Sequence, residues 1–499
     1  MGNTTSIAAG RDCLLSAVGG HAAHVAFQDH LLYQATAVET YNLNIPVTPA
    51  AITYPQSADE IAAVVKCASD YDYKVQARSG GHSFGNYGMA LIKVVDEPAG
   101  IQMTDSDLVL GLGGENGAIV VDMKHFSQFS MDESTFIATI GPGTTLGNLD
   151  LKLYNAGNRA MSHGICPTIR TGGHLTMGGL GPTARQWGLA LDHVEEVEVV
   201  LANSSIVRAS DTQNQDVFFA IKGAAASFGI VTEFKVRTEE APGLAVQYSF
   251  QFNLGTPAEK AKLVKDWQAF IAQENLTWKF YSNLVIFDGQ IILEGIFFGS
   301  KKEYDALDLE KKFPASEPGT VLVLTDWLGM IGHGLEDTIL KLVGDSPTWF
   351  YAKSLGFTPR TLIPDIAIDD FFDYIHKTNA DTLAWFVTLS LEGGAINAVP
   401  ADATAYGHRD VLFWFQVFVA NPLGPISQAT YNFTNGLYDV LAQAVPESAE
   451  HAYLGCPDPK MPGAQHAYWR NNLPRLEELK ADLDPKDVFH NPQGVQVAS

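Results

Sequence analysis

The alternating run Lys74-Val75-Gln76-Ala77-Arg78 reads as a strand and leads without a break into Ser79-Gly80-Gly81-His82-Ser83. A strand that opens into a glycine pair is a place where backbone can approach a phosphate closely. Two more glycine-bearing elements follow, Gly141-Pro142-Gly143-Thr144-Thr145 and Gly172-Gly173-His174. None reproduces the strand-to-helix G-x-G-x-x-G or the G-x-x-x-x-G-K-[ST] loop, so neither common nucleotide fingerprint is present. Taken singly, each glycine pair is more often a tight turn than a ligand cradle.

The elements around these turns mix helix and strand. Ser57-Ala58-Asp59-Glu60 is a capping-box pattern, and Ile61, Val64, Val65 and Ala68 supply the apolar stripe of a following helix. Strands are expected at 118–122, 135–140 and 194–201, with a short helix over 146–156 ended by Gly157. Residues 216–237 predict a helix, a turn around Gly229 and a strand. Ala241-Pro242-Gly243 marks a boundary. Beyond it the pattern predicts strands at 244–252 and 284–298, a helix over 259–273, and a later strand pair at 383–391 and 411–419.

The segment 89–110 is apolar at both ends and acidic inside. It reads either as a lid or as a retained intron, and the intron is the preferred reading.

Composition excludes several functions. With a formal net charge of −24 and no Lys/Arg block, the surface repels phosphate backbones, so nucleic acid is not expected as a partner. No apolar run reaches the roughly 18 residues of a membrane-spanning helix. The four cysteines, Cys13, Cys67, Cys166 and Cys456, have no disulfide-framework or metal-ligand spacing, and no metal is expected.

The first thirty residues lack a secretory pattern, which predicts a cytoplasmic protein, or a secreted one if the gene is truncated. Met1-Gly2-Asn3-Thr4-Thr5-Ser6 also fits an N-myristoylation pattern, whose single acyl chain anchors weakly. Oligomeric state is not legible.

His82, at the end of a glycine turn, and Cys166, in Ser162-His163-Gly164-Ile165-Cys166-Pro167, are the side chains placed for chemistry. The bland alternatives are a turn-stabilising imidazole and a buried small hydrophobe. By themselves these residues define a cofactor-binding protein of unknown kind.

The runs RSGGHSFGNYG, HGICPTIRTGGHLTMGGLGPTARQWGLALDHVEEVEVVLANSSIV and FFAIKGAAASFGIVTEF resemble the vanillyl-alcohol-oxidase superfamily. Within it they are similar to the fungal berberine-bridge-type branch that includes the carbohydrate oxidases. The closing run YWRNNLPRLEELKADLDPKDVFHNPQGV extends the resemblance to nearly the whole chain, about residues 45–497.

The resemblance implies a two-domain α+β flavoprotein. After an N-terminal segment (1–44), an FAD-binding domain covers 45–240. An antiparallel-sheet substrate domain with helices covers 241–458, and a tail (459–499) returns to complete the FAD domain. It also implies that His82 bonds to the flavin 8α-methyl and Cys166 to flavin C6. Arg78, Ser79, Gly80, Gly81 and Ser83, with Gly141, Gly143, Thr144 and Thr145, would wrap the pyrophosphate with backbone amides. Gly172, Gly173, His174, Gly229, Ile230 and Val231 would line the rest of the site. The implied activity is hydride transfer from an alcohol or C–H carbon of a small molecule to FAD, with oxygen as acceptor giving hydrogen peroxide.

The proton acceptor departs from that pattern. Cys456 stands where these oxidases carry a tyrosine base, and Ser390 where they carry its assisting carboxylate. Gln416 still resembles a substrate-contacting glutamine. A thiol base at Cys456, or Tyr453 or Tyr468 reaching the site, would restore catalysis; a packed Cys456 would leave an impaired flavoprotein. Arg170 replaces a glycine and is expected to crowd the cofactor or reach a phosphate. The altered pair favours tailoring of a secondary metabolite over sugar oxidation.

Overall fold

The computed structural model describes residues 2–88, 117–315, 319–334, 347–382 and 384–498. The segment 89–110, expected as a lid or intron, lies outside the described residues. Ser57 caps the helix Ala58–Asp70 by accepting the Glu60 amide at 3.2 Å, and the Glu60 carboxylate receives the Gln56 amide at 2.7 Å. Ile61, Val64, Val65 and Ala68 are all buried, so the apolar stripe is the packed face.

The helix delivers the chain to Lys74–Arg78, which pairs in parallel with Ala118–Asp122; that strand pairs in parallel with Ala51–Thr53 on its other side. A second sheet, fully antiparallel, runs in the order 129–132, 137–140, 229–237, 194–201, 206–210.

The third sheet has seven antiparallel strands, in the order 320–324, 245–252, 291–297, 280–286, 384–391, 413–421, 349–357. Side chains alternate across such a sheet. One face, with Leu284, Leu389, Phe415 and Val417, packs under the helices Pro257–Ile271, Asp365–Lys377 and Gln428–Ala444. The other face carries Asn283, Thr388, Ser390 and Gln416 toward the glycine turns. The single strand expected over 284–298 is a hairpin: Asp288-Gly289 turns the chain, with Gly289 at φ +88° and the Phe287 amide bonded to Gln290. Asp-Gly between apolar alternations is a hairpin signal that the sequence reading passed over.

The C-terminal tail returns to the first two sheets. Ala464, Ala467, Tyr468, Trp469 and Leu476 join the core of the second sheet. The Val75 amide donates to Val488 at 2.7 Å. Lys480, fully buried, donates to the carbonyls of Ser227 and Phe489 and pairs with Asp484 at 2.7 Å. This is the two-domain α+β architecture expected, with its FAD side completed by the tail.

The cysteine reading needs correcting, because Cys13 and Cys67 form a disulfide between the first helix and Ala58–Asp70. Their separation of 54 residues hid the pair; the packing of the two helices brings them together.

Candidate active site

A cavity of about 630 Å³ lies between the glycine turns and the polar face of the seven-stranded sheet. Arg78, Ser79, Gly80, Gly81, His82, Ser83, Cys166, Gly172, Gly173, His174, Gly229, Ile230 and Val231 line it from one side, and Gln416, Tyr453 and Cys456 from the other. Residues 406 apart in sequence, Tyr87 and Gln493, meet at its rim through a 2.6 Å hydrogen bond.

The 79–83 turn suits an anionic ligand. The amides of Ser79, Gly80, Gly81 and Ser83 donate to no acceptor among the described residues, and Gly81 takes φ +75°. Successive unsatisfied amides form an anion-binding concavity. The Arg78 guanidinium does not point there: it binds Asp122 at 2.8 Å and the carbonyls of Ala37 and Val38.

Gly141, Gly143, Thr144 and Thr145 contribute differently from the expectation. Of that turn Pro142 reaches the cavity wall, while the amides of Gly141, Gly143 and Thr144 bond to Gln128, Phe126 and Gly141. A side chain at Gly141 or Gly143 would collide with the backbone carbonyls of Phe126 or Met123. The turn is a prop, packed too tightly to offer amides to a ligand. Thr145 caps the helix Leu146–Asn155. Gly229 is also glycine for packing, since a Cβ there would sit 2.7 Å from Val199.

His82 and Cys166 come together through a residue the sequence reading missed. Thr168 Oγ1 lies 3.4 Å from His82 Nε2 and 3.4 Å from Cys166 Sγ. The His82 ring also packs on Tyr41 at 4.9 Å between centroids. The loop bearing Cys166 hangs on two neutral imidazoles: His174 Nε2 accepts the Gly164 amide at 2.9 Å, and His193 Nε2 accepts the Ser162 amide at 3.3 Å. Burial pushes both imidazoles down to about 3, with the nearby His163 adding to the effect at His174. Arg170 lines the cavity, and its guanidinium donates to the Ser79 carbonyl at 2.8 Å, fastening one turn to the other.

The facing wall overturns the candidate bases. Burial pushes the Cys456 thiol up to about 12, with a hydrogen bond from Gln416 opposing only in part. At neutral pH it is a thiol and accepts no proton. The Tyr453 oxygen accepts the amides of Gly179 and Leu180 at 3.2 and 3.5 Å, and burial raises its pKa, so it is a structural phenol. Tyr468 is buried away from the cavity on Gln493 at 2.8 Å. Ser390 is bonded to Asn283 at 3.0 Å.

Beyond these the wall carries Thr388, Trp414 and Glu392, whose Oγ1, Nε1 and Oε2 are buried without a partner. The two-residue repeat 388, 390, 392, running off the end of the strand Ala384–Leu391, is the signal for Thr388 and Glu392. Open amides on one wall and unsatisfied polar atoms on the other fit an elongated, phosphate-bearing cofactor with a substrate beside it.

An α+β frame with a cofactor groove facing an antiparallel substrate sheet defines a flavoprotein of the vanillyl-alcohol-oxidase type. Residues 100–210 match the family described as "FAD binding domain", and residues 452–496 match "Berberine and berberine like". The chain is 39% identical to FAD-linked oxidoreductase sorD of Penicillium rubens over 97% of both chains. It is 33% identical to the glucooligosaccharide oxidase of Sarocladium strictum, over 91% of this chain and 89% of that one. Among solved structures, the xylooligosaccharide oxidase from Myceliophthora thermophila in complex with xylobiose superposes with a TM-score of 0.85 at 28% identity, covering 98% and 99% of the two chains. The chain belongs to the berberine-bridge-type FAD-linked oxidoreductases: it is an FAD enzyme.

Proposed function

We propose that this protein holds its FAD through two covalent bonds, from His82 and Cys166, and oxidises an alcohol or C–H carbon of a small organic metabolite with oxygen as final acceptor, giving hydrogen peroxide. The observation that carries the attachment is the Thr168 bridge, which sets the imidazole and the thiol on one wall of one cavity. A solved glucooligosaccharide oxidase from Acremonium strictum, 30% identical at a TM-score of 0.82, is described with a 6-S-cysteinyl, 8α-N1-histidyl FAD. When bound, the flavin supplies the hydride acceptor. The chain supplies the rest: the open amides of Ser79, Gly80, Gly81 and Ser83 for the anionic part of the cofactor, and a polar sheet face at Asn283, Thr388 and Gln416 to orient the substrate.

Acid precipitation tests the attachment. Yellow colour should stay in the pellet of the wild-type protein, persist in each of His82→Ala and Cys166→Ala, and vanish in the double variant. A colourless wild-type pellet with FAD in solution overturns it.

Loss of both the tyrosine base and its assisting carboxylate supports a metabolite over a sugar. The names of the relatives favour the carbohydrate reading, and a peroxide assay across cello-, chito- and xylo-oligosaccharides separates the two. Turnover there would replace the metabolite proposal.

The Cys13–Cys67 pair supports the secreted alternative over the cytoplasmic one, since such bonds persist in oxidising compartments. Thiol counting on flavin-loaded protein from its native source, with Cys166 held by the flavin, should give one reactive cysteine after unfolding, Cys456; three would restore the cytoplasmic reading.

A further inference from the structure

Removing hydride from an alcohol carbon requires that the hydroxyl proton go somewhere, and the residues at the expected base positions do not take it. Glu392 is the one carboxylic acid among the described residues lining the cavity. It follows the strand Ala384–Leu391 on the same face as Thr388 and Ser390, one step of the two-residue repeat beyond Ser390, where the family resemblance implies an acid. The next two residues, Gly393 and Gly394, take φ +86° and +61° and fold the chain around Arg185; a side chain at Gly394 would strike the Arg185 carbonyl. Arg185 in turn donates to the Glu392 carbonyl oxygen. The turn therefore fixes the carboxyl at the cavity wall with a cation behind it.

We propose that Glu392 is the proton acceptor of the reaction, a carboxylic base moved two residues along the strand to replace the missing tyrosine and its acid. This rests on the proposed oxidation of an alcohol. The substrate O–H bond breaks and its proton passes to Glu392. The C–H electron pair leaves as hydride to the flavin, which is the oxidant, and the carbon–oxygen double bond forms.

The groups facing Glu392 are Arg185 from the helix Ala184–Trp187, Tyr406 from the 404–409 loop, and Tyr453. Burial holds the carboxyl well above the usual range, and Arg185 pulls it back. Arg185, pushed down to about 10 by burial, stays a cation at neutral pH. Below its raised pKa Glu392 is protonated and cannot accept, so turnover should rise with pH through that value.

The test uses the flavin-loaded enzyme and the isosteric Glu392→Gln. In infrared difference spectra, wild type minus variant should show one protonated carboxyl band at acid pH. That band should disappear on raising the pH and shift promptly in D2O, because the group is reachable from the cavity. With whichever alcohol the peroxide screen returns, the rate of anaerobic flavin bleaching should fall about 10²–10⁴-fold in the variant and lose its acidic limb, with flavin content unchanged. Glu392→Asp should recover part of the rate. A carboxyl that fails to exchange in D2O, or a Glu392→Gln enzyme within about threefold of wild type at every pH, overturns the proposal. A wild-type enzyme with covalent flavin that no alcohol bleaches would instead overturn the oxidation of an alcohol, whatever the infrared titration of the carboxyl shows.

Discussion

The wall that carries His82 and Cys166 is made of backbone: open amides at Ser79, Gly80, Gly81 and Ser83, glycine turns braced on one another, and a loop hung on two neutral imidazoles. The facing wall is made of side chains on a seven-stranded sheet, where Asn283, Thr388, Ser390 and Gln416 stand in cross-strand register. The first wall is built from a few local runs that hold their shape wherever the cofactor goes. The second draws its polar groups from three adjacent strands, so single substitutions change its chemistry while its sheet persists. Relatives that share the cofactor side can therefore differ in what they oxidise. The two thiols express the same contrast. Both are half-buried, but Cys166 sits beside the Thr168 hydroxyl in a turn, while burial against the sheet pushes the Cys456 thiol up to about 12.

The comparison breaks most severely if the backbone wall loses its anchor to the tail. Lys480→Ala leaves Asp484 buried without its partner, and should cost about 3–5 kcal/mol in chemical unfolding while releasing FAD. Acid should act on the same wall. His174 and His193 have folded pKa values far below the unfolded value of about 6.5, so the unfolded chain binds more protons between the two. Stability is lost as pH falls from about 6.5 toward 3, by up to about 1.4 kcal/mol per pH unit for each imidazole, followed by thermal melts across that range.

The two glycine classes sharpen the picture further. Gly141→Ala meets the Phe126 carbonyl and should cost about 1–3 kcal/mol. Gly173→Ala has open space and should leave the protein as stable or up to about 1 kcal/mol more so, yet weaken flavin loading. The smallest effect belongs to the facing wall. Cys456→Ser should change turnover by less than about threefold, because a thiol held protonated contributes no base; a loss of 10²-fold or more would return Cys456 to that role.

Much of this is legible in the sequence. The Ser57 cap, the apolar stripe from Ile61 to Ala68 and the strand-to-glycine run at 74–83 are local, and each folded as its pattern required. His82 and Cys166 stood out because turn residues surround them. The 284–298 hairpin was missed through one unread Asp-Gly, and Thr168 because a threonine after a proline looks like ordinary loop.

The sequence by itself determined the local turns of the backbone wall, since glycine pairs, caps and alternation act over a few residues. Tertiary structure alone decided which glycines prop and which cradle, that Cys13 meets Cys67, and that Cys456 is an inert thiol while Glu392 is a carboxyl set against a buried cation. The physical reason is that burial and the approach of remote groups set a pKa or close a disulfide, and neither quantity is encoded in the neighbours along the chain.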